Sequence, residues 1–204
     1  MPSYAEWWRA SDMTAGYRYH RDVLQVLQSN GCAGRWTLKS PGHALALDAL
    51  TAVYPDARLV VLHRDPVVLT ASVCSLIHTM SSAFSDVDHR AYIRQHWSDT
   101  LDACIERIDA FEAVHPGRLH HVQYADLVTE PVGTMRTLYG ELGIDATDEA
   151  MDAIGAHVGA HPRGSFGTHS YDLATYGLDE GALRERFAGY VERYDVPHEA
   201  AAVS

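Results

Sequence analysis

The sequence predicts an α/β domain, a mainly parallel sheet flanked by helices. Three observations carry this. Short apolar segments alternate with longer stretches of helical periodicity, the order that βα units produce. Two of these segments end in one device: Trp36–Leu38 runs into Lys39-Ser40-Pro41, and Leu59–Leu62 leads to Arg64-Asp65-Pro66. Ser and Asp accept hydrogen bonds from the first free N–H groups of a helix, and proline suits its first turn, where the N–H it lacks would have no partner. Finally, 204 residues with 47% hydrophobic and 21% charged side chains suit one domain, 1–204, with a substantial core.

In chain order, Tyr4 to Ala10 is expected as a short helix carrying Trp7 and Trp8. Thr14 to Ser29 reads as a second helix, with Tyr17, His20, Leu24 and Leu27 recurring every three or four residues and Asn30-Gly31 closing it. Trp36–Leu38 is the first expected strand. A helix capped by Ser40 then runs to about Tyr54, where Pro55-Asp56 stops it. Arg58 to His63 is the second strand, a near-continuous apolar run of the kind buried in parallel sheets. The helix after Asp65 shows Leu69, Val73, Leu76 and Met80 at helical spacing, and Ser81 to Asp88 is a polar loop.

Trp97 to Val114 is a long helix and Leu119 to Tyr124 a third strand. Further helices span Pro131 to Leu142, ended by Gly143, and the segment capped by Thr147 through Val158. Gly159 to Tyr176 has little periodicity and many Gly, His and Arg residues, which marks a functional loop. Asp179 to Tyr194 reads as one closing amphipathic helix, and the Ala-rich tail after His198 is expected to fray. Three strands are few for a parallel sheet, which needs cover on both faces. Either further strands escape the pattern or the sheet is completed from outside the chain.

The net charge of -11 argues against a nucleic-acid or membrane-surface binder, so an anionic ligand needs a local basic site. The three cysteines, Cys32, Cys74 and Cys104, form no CxxC pair, and Cys74 lies in an apolar helical stretch as a buried small hydrophobe. The first residues lack a signal-peptide pattern, and the run from Pro66 to Met80 is too short and too polar to span a bilayer. Together these features predict a cytoplasmic protein in a reducing compartment.

The two junctions supply that basic site. Each places a positive side chain beside a positive helix end, where anions collect, and ligands of open α/β sheets sit outside such strand tips. Lys39 is the only lysine; the other fifteen of the sixteen basic residues are arginine. Its compact ammonium can follow a single oxygen in ways a guanidinium cannot. His43 stands in the first turn of the next helix, whose positive end should keep it neutral and fit for general-base work. Arg64 offers a planar fork for phosphate oxygens, and Ser72, two turns into its helix, a hydroxyl.

The segments LKSPGH, PDARLVVLHRDPVVLTAS, YADL with Pro131 soon after, and PRGSFGTHSYDLATYGLDE resemble the sulfotransferase family that uses 3′-phosphoadenosine-5′-phosphosulfate (PAPS), in its mycobacterial and related actinomycete branch. The resemblance implies a P-loop-like sulfotransferase fold. It implies that Arg64 and Ser72 hold the donor's 3′-phosphate, that Tyr124 contacts the adenine, and that Arg163 and Gly164 close over the same phosphate. Lys39 and His43 are implied as the catalytic pair, although their spacing differs from that of the better-known cytosolic enzymes. The family's first strand ends in a Gly/Ser/Thr-rich loop around the 5′-phosphosulfate, and nothing here matches it. The chain thus resembles the C-terminal part of the fold, incomplete at its N-terminus.

The implied reaction is in-line sulfuryl transfer to a hydroxyl of a small molecule, carbohydrate or lipid. Its loose transition state asks for positioning and charge stabilisation and needs no metal. Without the loop's N–H donors, the chain alone is expected to bind weakly and turn over little. A partner chain or a homodimer would complete the fold. One rival is a non-catalytic nucleotide-binding or dimerisation module derived from a sulfotransferase. Another is a metal-dependent hydrolase, suggested by thirteen histidines and the spacing of His157, His161 and His169, with no acidic partner well placed.

Overall fold

The computed structural model describes residues 2–29, 31, 34–162 and 172–199. In chain order its helices are α1 (Pro2–Ala10), α2 (Thr14–Gln28), α3 (Leu47–Val53), α4 (Pro66–Ser82), α5 (Arg90–Val114), α6 (Tyr124–Thr129), α7 (Pro131–Glu141), α8 (Asp148–Ala160), α9 (Glu180–Arg186) and α10 (Ala188–Tyr194). The strands are β1 (Leu59–His63) and β2 (Leu119–Gln123), and 3-10 turns occupy Pro41–Ala46 and Ala174–Tyr176. The fold is α/β with a parallel sheet flanked by helices. No helix among the described residues is long and apolar enough to cross a membrane.

The chain divides into two compact units: Met1–Ala57 with Asp102–Arg118, and Arg58–Leu101 with Leu119–Ser204. In the first, α2 packs on α3, and the core gathers Tyr17, Leu24, Leu45, Leu47, Leu50, Val53, Ile108 and Phe111. Arg107 ties this unit together by donating to the carbonyls of Leu45 and Arg9, each at 3.1 Å.

In the second unit, β1 and β2 pair in parallel with His63 opposite Gln123. Helix α4 packs on α9, and α7 packs on β2, α6 and α8. Val67, Ala71, Cys74, Ile93, Met151 and Phe187 are the most deeply buried apolar side chains of this unit among the described residues. The caps at Asp65 and Thr147 follow the sequence, and Asp179 adds one that was not expected. Asp65 accepts from the Val67 N–H (2.9 Å), Thr147 from the Ala150 N–H (3.2 Å) and Asp179 from the Ala182 N–H (2.7 Å), each closing the open end of its helix.

Four readings need correction. Residues 35–40 carry no secondary structure, and Trp36 and Leu38 are 42% and 45% exposed. A strand exists only where a neighbour satisfies its N–H and C=O groups, and among the described residues these have no ladder partner. The helix expected from Ser40 to Tyr54 is a 3-10 turn followed by the shorter α3. The closing helix is broken at Phe187, where the backbone leaves the helical region (φ -102°, ψ 10°) as the ring sinks into the core. Strand β1 is not buried on both faces either, since Val60 and Leu62 are 44% and 50% exposed.

Candidate functional site

In the second unit the site is built on the parallel ladder. Because His63 stands opposite Gln123, the residues that follow them, Arg64 and Tyr124, leave the C-terminal ends of adjacent strands side by side. The Arg64 guanidinium lies over the Tyr124 ring, 4.3 Å from its centre. A cation on an aromatic face gains about 0.5–2 kcal/mol and is held in one plane. In that plane Arg64 donates to Glu199, Nε to Oε1 at 2.8 Å and Nη2 to Oε2 at 3.0 Å, with both side chains about one-fifth exposed. The arrangement is a two-pronged oxyanion clasp with an aromatic floor.

The residues around it fix its position. Asp65 is fully buried, and besides capping α4 it accepts the Glu199 N–H at 2.9 Å and faces Arg184 at 3.6 Å. His63 is buried and shares hydrogen bonds with Tyr190 Oη (2.9 Å) and His121 Nδ1 (2.8 Å), and its ring stacks on Tyr194 at 4.4 Å. Burial pushes the Tyr190 phenol up to about 12, so it stays protonated and able to donate. Ser72 is half-buried, seven residues into α4. Arg163 and Gly164 lie outside the described residues.

Lys39 and His43 belong to the first unit. Lys39 is exposed in the irregular segment before the 3-10 turn, whose cap is Ser40 Oγ accepting from the Gly42 N–H at 3.3 Å. His43 Nδ1 is 2.9 Å from Tyr17 Oη, and beside this pair His20 Nδ1 is 2.7 Å from Tyr54 Oη. The His43 pKa is lowered from its usual 6.5, first by burial and then by the neighbouring His20. The direction matches the expectation from the sequence, but its cause differs. The six-residue 3-10 turn is not the cause; lost solvation is.

Sequence reasoning placed Arg64 and Tyr124 and missed the residues that hold them. Of the tail after His198 that was expected to fray, only Glu199 is among the described residues, and it is docked on Arg64 and Asp65. Tyr17 and His20 were read as one helix face, and that spacing was the available signal for their pairing with His43 and Tyr54. His157 and His161 pack ring to ring at 4.4 Å, and His169 lies outside the described residues. Among the described residues no group of three His, Cys, Asp or Glu is placed to hold a metal ion. A cleft of about 370 Å³ in the first unit, lined by Asp48, Phe111, His115 and Arg118 among others, includes none of the expected site residues.

Comparison with known proteins adds the family. A model described as the sulfotransferase family matches residues 2–149. Crystal structures of two mycobacterial sulfotransferases resemble the chain. STF9 from Mycobacterium avium is 32% identical with a TM-score of 0.86, over 98% of this chain and 52% of that one. STF1 from Mycobacterium tuberculosis H37Rv is 38% identical with a TM-score of 0.77, over 92% of this chain and 48% of that one. Among curated proteins, the omega-hydroxy-beta-dihydromenaquinone-9 sulfotransferase Stf3 of Mycobacterium bovis is 26% identical over 77% of this chain and 40% of its own length. The chain therefore spans about half the length of the relatives it matches or less. With a family model covering most of its residues and two solved sulfotransferases sharing its fold, the chain belongs to the sulfotransferase family.

Proposed function

We propose that the chain supplies donor-anchoring and proton-accepting residues of a sulfotransferase that uses PAPS and a hydroxyl acceptor. The observation that carries this reading is the clasp at Arg64. A guanidinium at a parallel strand tip already holds a two-oxygen anion through Nε and Nη2, against a tyrosine face. A phosphate offers the same oxygens with more charge, so these residues fit the 3′-phosphate end of the donor. Arg64 would hold that phosphate, the Ser72 hydroxyl would add a donor, and Tyr124 would present its ring to the adenine. Arg163 and Gly164 join them on sequence grounds alone. The donor, when bound, supplies the sulfuryl group and a 5′-phosphate leaving group.

His43 would accept the proton of the acceptor hydroxyl. Its neutral ring can do so at Nε2 when Nδ1–H donates to Tyr17 Oη, which makes Tyr17 the positioning residue. The exposed Lys39 ammonium would offset negative charge developing on the bridging oxygen. No metal enters this scheme. The acceptor is a hydroxyl of a lipid, carbohydrate or other small molecule; the lipid is favoured by the omega-hydroxy-dihydromenaquinone named for the curated relatives. A partner chain or a second copy would cover the exposed face of β1.

Calorimetry with adenosine 3′,5′-bisphosphate tests the reading. Arg64→Ala should weaken binding at least about tenfold, since charge-assisted hydrogen bonds contribute roughly 1.5–3 kcal/mol. Equal affinity for both proteins would remove the basis of the donor site. A second reading is a nucleotide-binding module without turnover. It would show Arg64-dependent binding and no sulfuryl transfer when the chain is assayed alone.

A further inference from the structure

The oxyanion on Arg64 is the chain's own. Glu199 lies 135 residues away in sequence, yet its carboxylate takes Nε and Nη2 of Arg64 at 2.8 and 3.0 Å, the donors a phosphate would use. Its backbone is held as well, with the N–H donating to Asp65 Oδ2 at 2.9 Å. The preceding residues are anchored independently of the ion pair. Val196 is buried and its N–H reaches the Val191 carbonyl at 3.0 Å, while Arg184 Nη1 meets His198 Nδ1 at 2.8 Å. The carboxylate is thus delivered to the clasp by a docked segment rather than by a chance surface contact.

We propose that Glu199 is an internal surrogate for the donor's phosphate, and that residues 195–199 form an autoinhibitory plug that must release Arg64 before nucleotide binds. The proposal rests on the reading of Arg64 as a phosphate ligand and adds the regulation of that site. A carboxylate brings one negative charge and two oxygens, whereas a phosphate brings up to two charges and three, so a ligand can win the exchange. Until it does, the apparent affinity equals the intrinsic affinity multiplied by the fraction of molecules with Arg64 released. A covering chain or a ligand that draws the tail away would raise that fraction and open the site.

Titration calorimetry with adenosine 3′,5′-bisphosphate and adenosine 5′-monophosphate tests this on the full chain. Glu199→Gln keeps the backbone contacts and removes the charge. It should tighten the bisphosphate about tenfold, between the few-fold of an exposed ion pair and the hundredfold of a buried one. The monophosphate, which lacks the group Arg64 would hold, should be unaffected, and Glu199→Gln should change nothing once Arg64 is alanine. Hydrogen exchange supplies a second readout: the bisphosphate should speed exchange of the 195–199 amides in the unaltered chain. Unchanged affinity in Glu199→Gln, or no binding by either protein, overturns the plug. If Arg64→Ala still weakens the bisphosphate, only the plug has failed; if it binds as well as the unaltered chain, the donor site has failed.

Discussion

His43 shows how burial sets chemistry at a single residue. Its ring is half-buried beside His20, and both effects disfavour the imidazolium. A histidine whose folded pKa lies below its unfolded value binds fewer protons folded than unfolded. Its contribution to stability is therefore complete above pH 6.5 and is lost as pH falls through the folded pKa. A proton NMR titration should place the His43 midpoint below 6.5, and a midpoint at or above 6.5 would contradict the burial argument. Tyr17→Phe should leave the ring buried while releasing Nδ1, with a loss of about 1 kcal/mol in a thermal melt. The residue types at these positions were legible: Arg64 and Tyr124 stood out by motif, and Cys74 by its apolar surroundings, where burial holds its thiol up to about 11. Glu199 was not legible, because no local pattern tells an exposed acid in an Ala-rich tail from one that folds back onto a distant arginine.

At the level of the element, capping chemistry predicted the structure best. Ser40, Asp65 and Thr147 each accept from a first-turn amide as expected, because the donor and acceptor lie within three residues of each other. Trp36–Leu38 failed for the opposite reason: a strand is a property of two segments, and one sequence window shows only one of them. Phe187 failed differently. Leu183, Phe187 and Val191 keep a spacing of four straight through the break, so periodicity reads two helices as one. Asp65 does more than cap, since it also holds the tail amide and faces Arg184 from a fully buried position. Asp65→Ala should therefore cost about 2–4 kcal/mol in chemical denaturation, more than a cap alone. A loss under about 1 kcal/mol would mean that its buried charge is not compensated as the distances indicate.

For the whole molecule, the open question in the sequence was why so few strands were visible, and the structure has fewer still: β1 and β2 pair only with each other among the described residues. Val60 and Leu62 leave one face of β1 apolar and open, and the solved relatives are about twice as long. Two-stranded sheets are marginal alone, and open strand faces invite pairing. Sedimentation velocity should accordingly show concentration-dependent association of the chain, and Leu62→Lys should reduce it without lowering the melting temperature. A monomer at all concentrations in both proteins would leave the exposed face unexplained by self-association.

The pairing of His63 with Gln123 bears on how this gene can vary. Because alternate side chains on a strand point to opposite faces, many substitutions within residues 59–63 or 119–123 leave Arg64 over Tyr124. Deletion or insertion of a single codon in either stretch would not. It would turn one partner to the wrong face and break the stack of Arg64 on Tyr124 while both residues were still encoded.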